Sequence, residues 1–356
     1  MRHSANLDIL RSFAVFVVLI DHLVPTMVTH AGYHNLAVMT FVNHIGHAGV
    51  LAFFVHTSLV LMYSLERLTR SVERVTLRFY LRRFFRIYPL SVFCIILALI
   101  LHIPNMTWQA PDIVTKGMIV SNLLLMQDIF ARTSIISPLW SLPFEVQMYL
   151  VLPALYFLTL RKHSSLLLGG LYVFFCGFGI LVFKETHGHL SLAEYIPCFL
   201  CGVLCYSLRD SIRARIPAVF WPPFVLSLIS GYCLVRETHD KAPYLVGWIF
   251  CLLLGPAINA FHDSTFKPIN AVAEKVALYS YGIYLIHIPV LYFVFIFFGI
   301  KNQIVGSLLF VAATMAASIL AYHFIESPFI EMGRRLSSRQ SGTPVELPAS
   351  ETHEVS

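Results

Sequence analysis

The sequence predicts an all-α integral membrane protein: a polytopic bundle of about ten transmembrane helices, both termini cytoplasmic, with one interfacial or re-entrant segment. Three observations predict it. Hydrophobic residues make up 57% of the 356 and charged residues only 12%, about half the charge of an average soluble domain, and mean hydropathy is +0.73. Apolar runs long enough to cross a bilayer recur along almost the whole chain. Lysine and arginine gather at alternate ends of those runs, as cytoplasmic loops require.

The first run, residues 7–28, contains LDILRSFAVFVVLIDHL. It is about 22 residues long with no small-x-small site after it, so it is expected to stay as a span and not to be cleaved as a signal peptide. Further runs fall at 45–65, 84–103, 139–160, 165–183, 191–208, 217–235, 243–261, 275–298 and 303–325. A weaker stretch at 113–130 is decided by charge. With ten spans and the N-terminus inside, Arg2, Arg11, the seven arginines from Arg67 to Arg86, Arg161, Lys162, Arg209, Arg213, Arg215, Lys267, Lys275, Arg334, Arg335 and Arg339 are cytoplasmic, 19 of the 25 basic residues. An eleventh span would turn the later clusters outward, so 113–130 reads as the interfacial or re-entrant segment. The transmembrane domain is expected over 1–336 and a flexible polar cytoplasmic tail over 337–356.

Net charge is +6 and pI about 8.9, which in a soluble protein would point to nucleic acid. Here the charge sits in ERLTRSVERVTLRFYLRRFFR, where topology and anionic headgroups account for it; membrane lipids are the expected partner and nucleic acid is not. The seven cysteines all lie in apolar runs and read as small packing residues, without a disulfide framework. Cys198, Cys201 and Cys205 share a helical face, yet no other ligand is near in sequence. His30, His34, His44 and His47 have spacings that suit a metal but lack HExxH or a carboxylate pattern, and read as a water-facing loop. No metal is expected.

Ionisable groups inside apolar runs carry the functional signal, because a charge in hydrocarbon costs a few kcal/mol and normally faces a protein-lined cavity. Arg11 and His22 are eleven residues apart, about three turns plus 20°, so they share a face about 16 Å apart along the axis. Arg82, Arg83 and Arg86 enter the third span. Arg83 and Arg86, at i and i+3, face one side and suit phosphate oxygens, with lipid snorkelling as the alternative. Glu145, in PLWSLPFEVQMYLVLP, lies about 9 Å below the outer end of its span, at nearly the level of His22. Ser280, Tyr284 and His287 form one stripe at i, i+4 and i+7, either a functional wall or interhelical hydrogen bonds.

These residues together resemble the acyltransferase-3 family of integral membrane acyltransferases. The resemblance runs from residue 5 to about 330 through Arg11 and His22, GHAGVLAFFV, RRFFRIYPL, PLWSLPFEVQMYLVLP, SYGIYLIHIPV and HFIESPF, in that order. It implies that Arg11 and His22 are essential, that Arg83 and Arg86 are the family's arginine pair, and that Glu145 belongs to its acidic motif. Two departures stand out. FFVHTSL replaces the usual FFVLSGF, putting His56, Thr57 and Ser58 where Leu-Ser-Gly is common, and Glu326-Ser327-Pro328 replaces Glu-Arg-Pro.

The resemblance implies O-acylation of glycans such as lipopolysaccharide, capsule or exopolysaccharide, with acetyl-CoA as donor, at a bacterial inner membrane. The expected arrangement puts the donor's phosphates on Arg83, Arg86 and Arg11, with Arg82 beside them. The thioester would lie near His22, a general base oriented by Glu145 in preference to Asp21, which points about 100° away on the helix. His287 is a further candidate catalytic residue, and Ser280, Tyr284 and Trp140 are the candidate substrate-binding residues. The other class of reading is a proton-coupled transporter or acyl-group carrier; no inverted repeat or matched pair of broken helices supports it.

Overall fold

A computed structural model describes residues 4–30, 32, 36–71, 74–103, 114–185, 192–212, 214–238 and 243–339. The described residues form helices and connecting turns, with one isolated bridge between Ile216 and Phe261. In chain order the helices are α1 (Ala5–His30), α2 (Leu36–Ser71), α3 (Val75–Ile100), α4 (Lys116–Leu123), α5 (Leu142–Thr159) and α6 (Ser164–Glu185). They continue with α7 (Leu192–Leu208), α8 (Trp221–Thr238), α9 (Pro243–Ala260), α10 (Lys267–Leu291), α11 (Gln303–Ala321) and α12 (Ser327–Arg339). Each of the ten apolar runs read from the sequence falls on a helix.

Among the described residues seven helical segments are long and apolar enough to cross a membrane, containing α2, α3, α5, α6, α8, α10 and α11. The apolar stretches of α7 and α9 are shorter. Helix α1 is 26 residues long and carries Asp8, Arg11 and Asp21 among its apolar residues. Among the described residues of the expected 113–130 segment the helix is α4, whose eight residues span about 12 Å, less than the thickness of a bilayer.

The core is built around the packing of α1 on α2 and of α2 on α7. Helix α1 packs between α2 and α10, and α7 packs on α2, α6 and α9. Leu10, Ala14 and Val18 of α1, with Leu51, Phe54 and Val55 of α2, are buried in this seam. Close approach depends on small residues. Gly46 lies against the side chain of Asp21, and Gly202 of α7 against Ser58 and the Val55 carbonyl of α2; at either place a Cβ would collide. Helix α6 has the opposite character, burying only Leu168 and Gly179 while Leu166, Val173, Phe174 and Leu181 point outward, the pattern of a helix whose environment is lipid.

The structure departs from the sequence expectations in two places. Helix α2 begins at Leu36, so His44 and His47 are helical and His44 is buried, where a water-facing loop was expected; the side chain of His30, and His34, lie outside the described residues. Helix α12 runs past the expected boundary at 337, and Ser337 is fully buried; the remainder of the expected tail lies outside the described residues. Short π-helical segments, Tyr292–Phe297 and Tyr322–Glu326, follow α10 and α11. The second ends on a buried carboxylate, Glu326.

Candidate active site

The α1 face predicted from spacing is real: it carries His22 at one end and Arg11 at the other, each in a separate polar cluster. At the His22 end, Nδ1 lies 3.0 Å from the Val18 carbonyl and Nε2 lies 3.2 Å from Ser137 Oγ. His287 of α10 stands edge-on, its Nε2 3.4 Å from His22 Nδ1 and its own Nδ1 3.0 Å from the Ile283 carbonyl. A carbonyl only accepts, so each Nδ1 carries its proton and each Nε2 its lone pair, a tautomer assignment made from the network. The lone pair of His22 therefore faces Ser137, which donates to it. Asp21 Oδ2 is 3.7 Å from His22 Nδ1.

Ser137 is brought there by folding of the 122–140 segment against the bundle. Asn122 Oδ1 accepts from the Ile135 amide while its Nδ2 donates to the Met118 and Thr133 carbonyls. Gln127 donates to the Leu139 carbonyl and to Ser134. The 3₁₀ turn Ser137–Trp140 then leads into α5. Trp140 is stacked on His47 at 6.0 Å, and His47 shares a 2.6 Å hydrogen bond with the Tyr232 hydroxyl.

At the Arg11 end a cavity of about 760 Å³, its open mouth included, is lined by Arg11, Arg83, Arg86 and Glu145. Thr57 and Tyr149 donate to the two oxygens of Glu145 at 3.2 and 3.0 Å. Arg86 forms a 3.3 Å ion pair with Glu326, whose side chain is fully buried, and sits over the ring of Tyr281. The Nε groups of Arg11 and Arg83 are buried without a hydrogen-bond partner. Buried guanidinium N–H groups normally find an acceptor, so this wall is short of anions. The cavity reaches Ser141 and Tyr284. Their hydroxyls are 2.8 Å apart, and the Tyr284 ring is 6.3 Å from His287, so this pair stands between the two clusters.

The structure therefore regroups the predicted site residues. Arg83 and Arg86 face one cavity, as their spacing implied, and Arg11 lines it with them. Glu145 joins them and not His22; the groups at the His22 ring are Asp21, His287 and Ser137. The depth estimate for Glu145 took the span to begin at the membrane surface, whereas the Ser137–Trp140 turn already lies at the level of His22 and Glu145 is about two turns deeper. Asp21 reaches the ring despite pointing away along α1, because Gly46 leaves room for its side chain to fold back. Arg82 leaves the cavity and bonds Ser337 of α12 at 3.2 Å. Ser280 is buried and donates to the Ala277 carbonyl while lining the cavity. Sequence reading did not assign Ser137, Tyr149 or Glu326 to the site. For Glu326 the signal existed, a carboxylate at the end of an apolar run in HFIESPF; Ser137 and Tyr149 have no such mark.

The chain matches the family described as Acyltransferase domain, Acyl_transf_3, over residues 4–323. It belongs to the acyltransferase-3 family. Comparison with curated proteins and with solved structures finds no match. The family match covers both polar clusters up to Glu326, which lies just beyond it, and membership makes this acyltransferase-3 protein a membrane acyltransferase in general terms.

Proposed function

We propose that this acyltransferase moves an acyl group, most simply acetyl, from cytoplasmic acyl-CoA to a hydroxyl of a glycan on the outer side of a bacterial inner membrane, with both termini cytoplasmic. One observation carries the reading: an anion-deficient arginine cavity and a base-bearing histidine cluster share one face of α1, about 16 Å apart. The arm joining phosphate to sulfur in coenzyme A is about twelve bonds, which at about 3.5 Å per three bonds reaches about 14 Å. A donor whose phosphates lie on Arg11, Arg83 and Arg86 would bring its thioester close to His22.

The chemistry follows from the tautomers. The acceptor hydroxyl takes the place of Ser137 at His22 Nε2 and passes its proton there as its oxygen attacks the thioester carbonyl. The tetrahedral intermediate collapses with cleavage of the C–S bond, and the departing sulfur takes the proton back from His22. While His22 is an imidazolium, its Nδ1–H remains on the Val18 carbonyl and the Asp21 carboxylate balances the charge. His287 presents a lone pair toward the same nitrogen. Glu145, held by Thr57 and Tyr149, serves the donor cavity.

The test is product formed from labelled acetyl-CoA in membranes containing matched protein. His22→Ala should lower turnover by roughly 10²–10⁴ while donor binding stays at the wild-type level. Wild-type turnover in His22→Ala with loss in His287→Ala would move the base to α10. Transport of label without acylated product in the wild type would replace the enzyme with a carrier.

A further inference from the structure

His56 is a second-helix imidazole with no assigned task. It is 5% exposed and lines the arginine cavity beside Thr57. The uncharged polar groups around it are already engaged: Thr57 and Tyr149 donate to Glu145, Tyr284 pairs with Ser141, and Ser280 bonds a backbone carbonyl. The ring of His56 makes no hydrogen bond among the described residues. A buried polar group left open toward a cavity calls for a partner inside it.

The partner's chemistry follows from the surroundings. Three guanidiniums already line the same wall and offer N–H groups in excess for any phosphate. Neutral imidazole differs from them in carrying one N–H and one lone pair, which match a group that both donates and accepts, such as an amide or a hydroxyl. Pairing of α1 with α2 at Asp21–Gly46 and Val17–Gly49 carries on to put His56 at about the level of Arg11. That is the phosphate end of the cavity, away from His22.

We propose that His56 binds the donor by hydrogen-bonding the hydroxyl–amide portion of the acyl-CoA arm next to the phosphates. The assignment rests on reading the cavity as the donor site. It makes His56 a binding residue that distinguishes an arm-bearing donor from a bare nucleotide.

Calorimetry on the full chain purified in detergent tests this with two probes: acetyl-CoA, and 3′-phosphoadenosine 5′-diphosphate, which keeps phosphates and lacks the arm. His56→Leu should weaken acetyl-CoA by about 5- to 10-fold, the worth of one neutral hydrogen bond, and leave the nucleotide unchanged. His56→Gln, which keeps a donor and an acceptor, should retain most of the acetyl-CoA affinity. Should His56→Leu not purify as a monodisperse protein, His56→Ala takes its place with the same expectation. Unchanged acetyl-CoA binding, or equal loss for both probes, overturns the arm contact. Arg83→Gln should weaken both probes. If it weakens neither, the donor-site reading itself fails, independently of His56.

Discussion

Removing Arg86 should destabilise the protein more than removing Arg86 and the charge of Glu326 together. The two groups are 3.3 Å apart, with Glu326 fully buried and Arg86 19% exposed. At an effective dielectric of 20 their attraction is about 5 kcal/mol, which desolvation of both ions largely offsets, so the intact pair adds little net stability. Arg86→Gln keeps the desolvation of Glu326 and loses the attraction, a cost of about 3–5 kcal/mol. At roughly 1.3 °C per kcal/mol for a chain of this size, Tm should fall by about 4–7 °C. Arg86→Gln with Glu326→Gln replaces the pair by two amides able to bond each other, and should recover to within about 3 °C of wild type. Thermal unfolding in one detergent, followed by the fraction remaining monodisperse, gives all four corners of the cycle. A double variant no more stable than Arg86→Gln would mean that the ion pair is incidental and that Arg86 is held by the Tyr281 ring and the cavity wall.

Two further outcomes follow from the regrouped site. Asp21→Asn should lower kcat about tenfold, by removing one charge opposite the imidazolium, with donor affinity intact. Glu145→Gln should alter donor affinity more than kcat, because it changes the charge of the arginine cavity; a kcat loss at unchanged affinity would return Glu145 to His22. A reporter active only outside the inner membrane, fused after Arg339, should stay dark; a bright signal would mean an eleventh span and would turn the segments that follow it to the opposite face.

Much of the site was legible because helices repeat. A period of 3.6 residues places Arg11 and His22 on one face, Arg83 beside Arg86, and Ser280, Tyr284 and His287 in one stripe, and all seven lie where that rule put them: Arg11, Arg83, Arg86, Ser280 and Tyr284 line the cavity, and His22 meets His287. The same rule turned Asp21 away from His22, and a depth estimate set Glu145 beside it, where the structure has the reverse. Which side chain meets His22 depends on how deep the Ser137–Trp140 turn lies and on the room that Gly46 leaves, and neither is periodic.

The sequence by itself determined that the chain is helical and membrane-embedded, that ten apolar runs become helices, and that a few ionisable residues lie inside the bundle. Those properties are local: hydrocarbon demands apolar faces and internally satisfied backbone, and each run answers within itself. Only the tertiary structure decided who pairs with whom. It set Asp21 and Ser137 at the His22 ring, moved Glu145 among the arginines, locked Glu326 to Arg86, and put an open imidazole, His56, in the cavity wall. Contacts of this kind join residues far apart in the chain. They follow from helix depth, from crossing points fixed by glycine, and from the path of an irregular turn, which no single helix encodes.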